Sequence, residues 1–484
     1  MASLSSAEKA FAALILFIIV FFSLFRSTES PPLDFDEGWA IQVAANLSER
    51  GVDGLQFSPG TLEHVSVLTS IGYPLVYVQA FWFELFGAGV LEARVMMAVY
   101  MLGFAAVGFF LLRRLYGATV ALSALAILAA FPPFYSFGKS VIGEVPLLFF
   151  LTLFLLCFNL ATNDPPRKRL WFILTGVSAG LCVVTKTMAL ALAPVLLFAA
   201  FLALRRGVAS WKDVGIVAIS ASIPFAVWLV VHFEPGDSFA SVLNYYTNPS
   251  ALADKTATFS LNLGKLFTNI GPLFMWGAMS VWVSGVIFRM KTRAKVPIEE
   301  WVALLFSIVL IFSLLFRYFD ARYIFPVQAL AILFFPYSLY SLLRALPVKI
   351  DVARITRIFL AGVALMSLLG LYQVSFRSHV ADSYTSHFIG DMTAYFSSVP
   401  DSTSIFFYNA PQAVPLFHGR NYYQRFVIFE SWILGSEFAP IVEDGLVDML
   451  VLGPVSKEDK KVSLDGYEKV AEFNKISVYE RKTP

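Results

Sequence analysis

The sequence is poor in charged residues. Only 14% of its 484 residues are Asp, Glu, Lys or Arg, whereas a soluble globular chain carries about a quarter. The net charge of +2 gives no strong overall field, which argues against a nucleic-acid partner. Hydrophobic residues make up 58% of the chain, so we expect a membrane protein with most of its mass in lipid.

Cysteine and histidine are also scarce. Both cysteines, Cys157 and Cys182, lie in apolar runs, which is typical of small core residues and not of a disulfide framework. The five histidines include no pair at the His-Glu-x-x-His spacing of a zinc hydrolase. The chain has no Walker loop and no Gly-x-Ser-x-Gly elbow, and no Gly-x-Gly-x-x-Gly loop stands in a suitable context. These absences argue against a nucleotide-driven pump and against an enzyme with a soluble Rossmann domain for nucleotide sugars.

Long apolar runs make up most of the first 376 residues. A membrane span needs about 20 mostly apolar residues, and the long run 171–204 holds two spans if it turns near Lys186. We expect about eleven spans, and the first is a retained anchor because it lacks a small-residue cleavage site. The runs are residues 11–25, 90–112, 118–137, 141–160, 171–204, 214–233, 270–288, 301–316, 323–343 and 358–376.

Basic clusters between these runs predict the orientation, because such clusters face the cytoplasm. The stretch Tyr73–Phe86 is apolar but short, and it contains Gln79 and Glu84. If this stretch does not span, all five clusters fall inside; we therefore interpret it as an interfacial or re-entrant helix. The N-terminus is then cytoplasmic and the C-terminus extracytoplasmic. The clusters lie within residues 113–114, 167–169, 205–212, 289–295 and 344–357.

The last hundred residues differ in character. From Ser378 the apolar runs shorten to strand length and are separated by turn residues, which predicts a small α/β domain outside the membrane. The predicted fold is an all-α polytopic membrane domain over residues 1–377, with a first extracytoplasmic loop at 27–89, followed by an extracytoplasmic α/β domain over 378–484. The expected strands are 404–408, 425–429, 447–452 and 476–479.

Ionisable residues collect on the predicted outer face. Asp34, Asp36 and Glu37 directly follow the first span, where clustered carboxylates repel one another and are costly to desolvate. We take them for a candidate active site; a solvated acidic loop beside a helix end is the alternative. The other members of the predicted set are Arg94, Lys139, Glu144, Lys186, Arg317, Asp320, Arg322 and Tyr323.

This mixture suits sugar transfer from a polyprenyl phosphate. The leaving phosphate needs a cationic clamp at membrane depth, and Arg322 or Lys186 could supply it. The acceptor hydroxyl needs a carboxylate to take its proton, and Asp36 could serve. Structural ion pairing is the alternative role for Arg317, Asp320 and Glu144, and snorkelling to the headgroups is the alternative for the two lysines, Lys139 and Lys186.

Five segments, in order, resemble the GT-C superfamily, in particular the bacterial and archaeal relatives of protein O-mannosyltransferases and of the lipid A aminoarabinose transferase. The resemblance extends from about Phe11 to about Pro336. The segments are Asp36-Glu37 with the following residues 39–47, Leu85-Phe86-Gly87 with Glu92-Ala93-Arg94, Glu144-Val145-Pro146-Leu147, Gly180-Leu181 through Thr185-Lys186, and Arg322-Tyr323-Ile324-Phe325-Pro326.

The resemblance implies an inverting glycosyltransferase that moves a sugar from a polyprenyl-phosphate donor to a glycan, lipid or protein acceptor at the extracytoplasmic face. It implies that Asp36 is the catalytic carboxylate, with Glu37 beside it. It places Glu144 at the position of the family's second acidic residue and implies that Arg322 helps to bind the lipid phosphate. Together with the other residues of the predicted outer face, this gives a predicted substrate-binding set of Arg94, Lys139, Glu144, Lys186, Arg322 and Tyr323.

Two departures from the family pattern leave open which residues contact the donor phosphate. Aminoarabinose transferases carry a Lys-Pro pair in the first loop, whereas here the stretch Thr69–Pro74 has the proline without the lysine. The second acid is Glu144 where relatives often have Asp. A metal is also left open, because Asp36 and Glu144 could hold Mg²⁺ or Mn²⁺, or Arg and Lys alone could neutralise the phosphate.

Two other classes of function compete with the transferase hypothesis. A transporter or flippase for lipid-linked sugars would carry its ionisable groups near the bilayer midplane, and a non-enzymatic assembly subunit would not need the outer acids. The transferase hypothesis requires that Asp36 and Arg322 face one shared site.

Overall fold

The computed structural model describes residues 4–64, 71–233, 255–316, 320–345, 351–376, 387–427, 433–434, 442, 445–454 and 464–482. Helices dominate its first three quarters, as the long apolar runs predict. They are α1 Ser6–Leu24, α2 Phe35–Arg50, α3 Tyr73–Phe86, α4 Val90–Tyr116, α5 Ala118–Ala129, α6 Pro132–Lys139, α7 Glu144–Asn163, α8 Lys168–Thr185, α9 Leu192–Arg205, α10 Trp211–His232, α11 Lys255–Thr268, α12 Ile270–Lys291, α13 Ile298–Leu314, α14 Phe325–Leu343, α15 Val352–Phe376 and α16 Phe388–Ser397.

Nine helical segments in this described part are long and apolar enough to cross a bilayer, and the pair α5–α6 would make ten. The chain is therefore a multi-span membrane protein, with slightly fewer spans than the eleven expected. The difference lies in α13, whose 17 residues stand at the lower limit for a span. The pair α5–α6 is bent by 67° because Pro132 and Pro133 at the start of α6 cannot continue the preceding helix.

Helix α3 confirms that Tyr73–Phe86 is a short helix. Its 14 residues extend about 21 Å, less than the roughly 30 Å of a hydrocarbon core. One face is buried against the protein, whereas Phe81, Leu85 and Phe86 are each more than half exposed. An exposed apolar face on a helix of this length is typical of an interfacial position.

The long run 171–204 is interrupted at Lys186, where the sequence analysis places a turn. Helix α8 ends at Thr185, and Lys186 itself has an extended backbone. The Gly72 N–H donates to the Thr185 carbonyl over 3.0 Å, and Ile71 forms an antiparallel bridge with Lys186. The loop between α1 and α4 thus satisfies backbone groups that the broken helix leaves open.

The C-terminal region forms a six-stranded sheet with the order β5-β4-β3-β6-β8-β7. Strands β4, β3 and β6 are parallel to one another, and the outer strands are antiparallel to their neighbours. A strand is present at each of the four expected places, although residues 428–429 of the second lie outside the described residues, and β5 and β7 are additional edge strands. The strands are β3 Ile405–Tyr408, β4 Tyr422–Val427, β5 Ile433–Leu434, β6 Met449–Leu452, β7 Tyr467–Phe473 and β8 Ile476–Arg481, while β1 Gly54–Ser58 and β2 Thr61–His64 form a separate hairpin in the first loop.

Buried glutamines join this sheet domain to the first loop. The Gln424 amide donates to Gln42 Oε1 over 2.9 Å and to the Gln56 carbonyl over 2.8 Å. The Gln56 amide donates to the Tyr422 carbonyl over 3.0 Å, and the Gln42 amide donates to the Pro411 carbonyl over 2.8 Å. Because a buried amide without partners is costly, these reciprocal bonds fix the position of α2 beneath the sheet domain.

Helix α2 also touches the sheet domain through its backbone. A Cβ atom at Gly38 would lie 2.3 Å from Gln412 Cα and 2.7 Å from the Pro411 carbonyl oxygen. Only glycine permits this approach, and Gly38 stands two residues after Asp36. The start of α2 is therefore held directly by the C-terminal region.

We expect Gly38→Ala to weaken this contact. The added methyl group must push the two backbones apart, and overpacking of this kind costs about 1–3 kcal/mol. The matched control is Gly215→Ala in α10, where no atom lies within 4 Å of the added Cβ and alanine favours the helix. Thermal unfolding of the purified protein should show a lower Tm for Gly38→Ala alone; equal Tm values for the two variants would contradict the close packing.

Candidate active site

The start of α2 orients the acidic residues of the first loop. Asp34 is the N-cap, and its carboxylate accepts from the Phe35 N–H over 2.7 Å; Glu37 and Asp34 together form a capping box. Asp36 then stands in the first turn, where the positive end of the helix dipole favours a carboxylate. The sequence Asp-Phe-Asp-Glu thus places two acids at one helix N-terminus for local structural reasons.

Arg322 reaches this helix start from a distant part of the chain. It belongs to a short 3₁₀ helix, Ala321–Ile324, whose N-cap Asp320 accepts from the Arg322 N–H over 2.9 Å. The Arg322 guanidinium donates one Nη to Asp34 Oδ2 over 2.9 Å and the other to Asp36 Oδ2. Asp36 and Arg322, which are 286 positions apart, therefore share one site.

The degree of burial changes across this contact. The Arg322 side chain is 11% exposed, whereas Asp36 is 34% and Asp34 49% exposed. The pKa of Asp34 is raised to about 6, because neighbouring protein atoms displace water from its carboxyl group and Asp36 adds negative charge, which together outweigh the attraction of Arg322. Arg322 thus forms the inner wall of the site, and the carboxylates form its open side.

A second ion pair lies behind Arg322. The Lys186 ammonium donates to Glu144 Oε1 over 2.7 Å and to the Ile142 carbonyl, and both ionised side chains are buried. The extended backbone at Lys186 allows its side chain to reach the start of α7. Glu144 Oε2 is a buried acceptor without a hydrogen-bond partner within the part of the chain described.

Tyr323 separates the two ion pairs. Its hydroxyl accepts from Arg322 Nη2 over 3.3 Å, and its ring centre lies 5.1 Å from the Arg322 guanidinium carbon and 5.9 Å from Lys186 Nζ. Two cations therefore flank one aromatic ring. We call this group the Arg322 cluster; its members are Asp34, Asp36, Glu144, Lys186, Arg322 and Tyr323.

Glu37 and Arg94 form a separate internal ion pair. Arg94 Nε and Nη2 donate to the two Glu37 carboxylate oxygens, each over 2.8 Å, and both side chains are fully buried. The remaining Nη1 donates to the carbonyls of Ser27 and Pro31 over 2.8 Å. The sequence predicts Glu37 beside Asp36 in the active site and Arg94 among the substrate contacts, whereas both side chains lie in the interior of the structure.

Lys139 contributes to the same internal arrangement. Its ammonium donates to the Phe25 carbonyl over 2.6 Å and to the Ser30 carbonyl over 3.3 Å, and the side chain is buried. Lys139 therefore holds the chain between α1 and α2 and does not join the Arg322 cluster. Its position differs from both the substrate contact and the headgroup contact that the sequence suggests.

Comparisons with known proteins identify the fold. Residues 74–230 match the family model of dolichyl-phosphate-mannose-protein mannosyltransferases, and no curated protein sequence matches the chain. ArnT from Cupriavidus metallidurans in the apo state is 16% identical with a TM-score of 0.63, and the alignment covers 98% of each chain. The same protein bound to undecaprenyl phosphate is 17% identical with a TM-score of 0.60, covering 99% of this chain and 98% of that one.

The chain has the GT-C fold. The archaeal oligosaccharyltransferase AglB from Archaeoglobus fulgidus, solved with an inhibitory peptide and a dolichol-phosphate, also has this fold; it is 13% identical with a TM-score of 0.57, covering 92% of this chain and 69% of that one. The family model of mannosyltransferases covers residues 74–230 of the chain, and the solved structures share its fold along most of its length. The resemblance drawn from the five sequence segments is confirmed at this level.

Asp36 and Glu144, the two acids considered for a metal, each already pair with a protein cation. Asp36 faces Arg322 and Glu144 faces Lys186, so a divalent ion at either acid would meet a positive side chain at short range. Within the described ranges no three His, Cys, Asp or Glu side chains are close enough together to hold a metal. The arrangement does not fit a resident Mg²⁺ or Mn²⁺ between Asp36 and Glu144.

Asp34, a member of the predicted acidic cluster, contacts Arg322 as directly as Asp36 does, and its position as the N-cap of α2 holds it there. Two other sequence predictions fall at least partly on residues that the structure does not describe. Arg317 lies outside the described residues, as does the part of the Thr69–Pro74 stretch before Ile71. Asp320 acts locally, as the N-cap that orients Arg322.

We expect Glu37→Gln to destabilise the protein strongly. It leaves the Arg94 charge buried without its partner, and breaking a buried pair from one side costs about 3–5 kcal/mol. The double variant Glu37→Leu/Arg94→Met should recover part of this loss, because both charges are removed together. Thermal unfolding in detergent checks this prediction; a single variant as stable as the wild type would argue against the internal pair.

Proposed function

We propose that the chain is an inverting glycosyltransferase that transfers a sugar from a polyprenyl-phosphate carrier to a hydroxyl acceptor. In this reaction the acceptor oxygen attacks the anomeric carbon, and the bond from that carbon to the phosphate oxygen breaks. The polyprenyl phosphate leaves with the electron pair, and Asp36 takes the acceptor proton. Each step needs a group that the Arg322 cluster contains.

The observation that carries this proposal is the contact of Arg322 with Asp36 and Asp34. A guanidinium matches a carboxylate and a phosphate with the same fork geometry, so a lipid phosphate can replace a carboxylate on Arg322. Such an exchange would release Asp36 to act as a base beside the bound donor. Arg322 Nε, which has no hydrogen-bond partner in the described structure, offers the phosphate a further donor.

The solved relatives indicate the carrier, and the absence of a lysine from the first loop indicates which residue contacts the phosphate of the carrier. ArnT has been solved with undecaprenyl phosphate and AglB with a dolichol-phosphate, which supports a polyprenyl phosphate as the carrier for this fold. The first loop lacks the lysine of the aminoarabinose transferases, and Lys186 lies too deep to replace it, at 3% exposed. We therefore assign the phosphate contact chiefly to Arg322.

The buried charged residues are assigned positioning roles. Glu144 and Lys186 hold the backbone break on which Tyr323 and Arg322 pack, so they act on substrate through those two side chains. Glu37 and Arg94 hold the start of α2, and Lys139 holds the preceding turn. Asp36, Arg322 and Tyr323 remain as the groups that contact the donor or the acceptor.

The position of the ionised groups favours an enzyme over a transporter. Asp36 lies in the first turn of α2, Glu144 begins α7, and Arg322 immediately precedes α14. A transporter site would lie near the bilayer midplane, whereas these residues stand at helix ends. With the basic clusters at the opposite helix ends facing the cytoplasm, we place the site on the extracytoplasmic face and the sheet domain beside it.

The first prediction from this mechanism concerns Asp36. Asp36→Asn keeps the shape but removes the base, and transfer from a defined polyprenyl-phosphate sugar should fall at least about 100-fold. Asp34→Asn is the matched control, because Asp34 also contacts Arg322 and asparagine can still cap α2. Transfer by this variant should stay within about fivefold of wild type. Full activity of Asp36→Asn, or equal loss in both variants, would refute the role of Asp36.

The second prediction concerns Arg322. Arg322→Lys keeps the positive charge but loses the two-pronged contact, so KM for the donor should rise about 10- to 100-fold. Arg420→Lys provides the control, because Arg420 pairs with Glu49 at the exposed surface, where the same exchange should leave KM unchanged. Steady-state kinetics at varied donor concentration test this prediction. A donor KM that is unchanged in Arg322→Lys would show that Arg322 does not contact the donor phosphate.

A further inference from the structure

A second concave site lies at the other end of the helix bundle. A cavity of about 600 Å³ opens there between the ends of α4, α7 and α9 and the start of α13, a volume typical of small-ligand sites. Helix α4 connects the two ends: Arg94, near its start, pairs with Glu37, and Arg114 lines the cavity. The 20 residues between them extend about 30 Å, the thickness of a hydrocarbon core, so the cavity lies at the opposite membrane surface.

Among the described residues, cationic side chains outnumber acids in the wall of this cavity. The described lining includes the four cations Arg113, Arg114, Arg206 and Lys295, and one acid, Glu299. Arg206 and Lys295 are exposed. The cavity therefore carries an excess of positive charge in a concave surface, which attracts an anion more strongly than scattered surface charges do.

The acid in the wall is fixed within the protein. Glu299 is buried, and its Oε1 accepts from Asn159 Nδ2 over 2.8 Å. Asn159 in turn accepts from Arg114 Nε over 2.8 Å, and Arg206 Nη1 donates to the Val296 carbonyl over 2.8 Å. These bonds hold the two guanidinium groups at the wall. Within the described ranges their other nitrogens remain as donors for a ligand.

Glu300, the residue after Glu299, makes its hydrogen bonds to residues other than the cations of the cavity. Glu300 accepts from Arg289 Nη1 and Nη2 over 2.7 and 2.5 Å, and it also accepts from Trp282 and Tyr116. It therefore does not neutralise the cations of the cavity. Tyr116 stacks on Tyr337, with ring centres 3.9 Å apart, and both tyrosines line the cavity, as expected at headgroup level.

We propose that this cavity binds the phosphate of an anionic glycerophospholipid headgroup. Guanidinium groups match phosphate oxygens in pairs, and basic pockets between membrane helices at this level bind such headgroups. A soluble phosphate has the same chemistry, but a lipid places it at the depth of the cavity and adds apolar contact along the helices. The site is independent of glycosyl transfer and would join α4, α7, α9 and α13 at the membrane surface.

The test compares two double variants that each remove two positive charges. Arg206→Gln/Lys295→Gln acts on the cavity, and Lys212→Gln/Lys291→Gln acts on exposed residues near the same ends of the helices that do not line it. The full chain is purified, equilibrated with phosphatidylglycerol or phosphatidylcholine, and the bound lipid is counted by native mass spectrometry. Each lost charge should weaken phosphatidylglycerol binding about fivefold, so the cavity variant should lose about 25-fold and the control should match wild type.

A third variant should change binding in the opposite direction. Glu299→Gln removes the one acid of the wall and should strengthen phosphatidylglycerol binding about fivefold, a gain that misfolding would not produce. Equal binding by both double variants, or equal retention of the two lipids by wild type, would overturn the proposal. Displacement of phosphatidylglycerol by excess inorganic phosphate would show a soluble-anion site and would overturn the lipid assignment.

Discussion

The bond between Arg322 and the acids at the start of α2 is the constraint on which the rest of the site depends. It joins two segments from opposite ends of the membrane domain, and each segment is fixed separately. Asp320 caps the short helix that carries Arg322, and Glu37 with Arg94 fixes the base of α2. A charged pair that is partly open to water is stabilised only weakly by its own attraction, so these supports determine its geometry.

The sequence allowed prediction of features whose causes are local. Helix positions follow from apolar run length, and the break at Lys186 from a charged residue within a run too long for one span. All of these signals lie within a few residues of the feature they predict.

Other features depend on directions and pairings that a linear pattern does not contain. Asp36 and Glu37 are neighbours in sequence, but consecutive residues of a helix point about 100° apart; one therefore faces Arg322 and the other faces Arg94. The contacts of Gln424 with Gln42 and Gln56 join positions 382 and 368 residues apart. Strand β7 was missed because charged residues at three of its seven positions interrupt the apolar run that would have marked it.

The bridge between Ile71 and Lys186 has a mechanical consequence. It fastens the start of the short helix α3, whose outward face is aromatic and apolar, to the backbone from which the Lys186 side chain reaches Glu144. A displacement of α3 along the membrane normal would therefore pull on the backbone at Lys186 and, through the contact of Lys186 with the Tyr323 ring, on the Arg322 cluster.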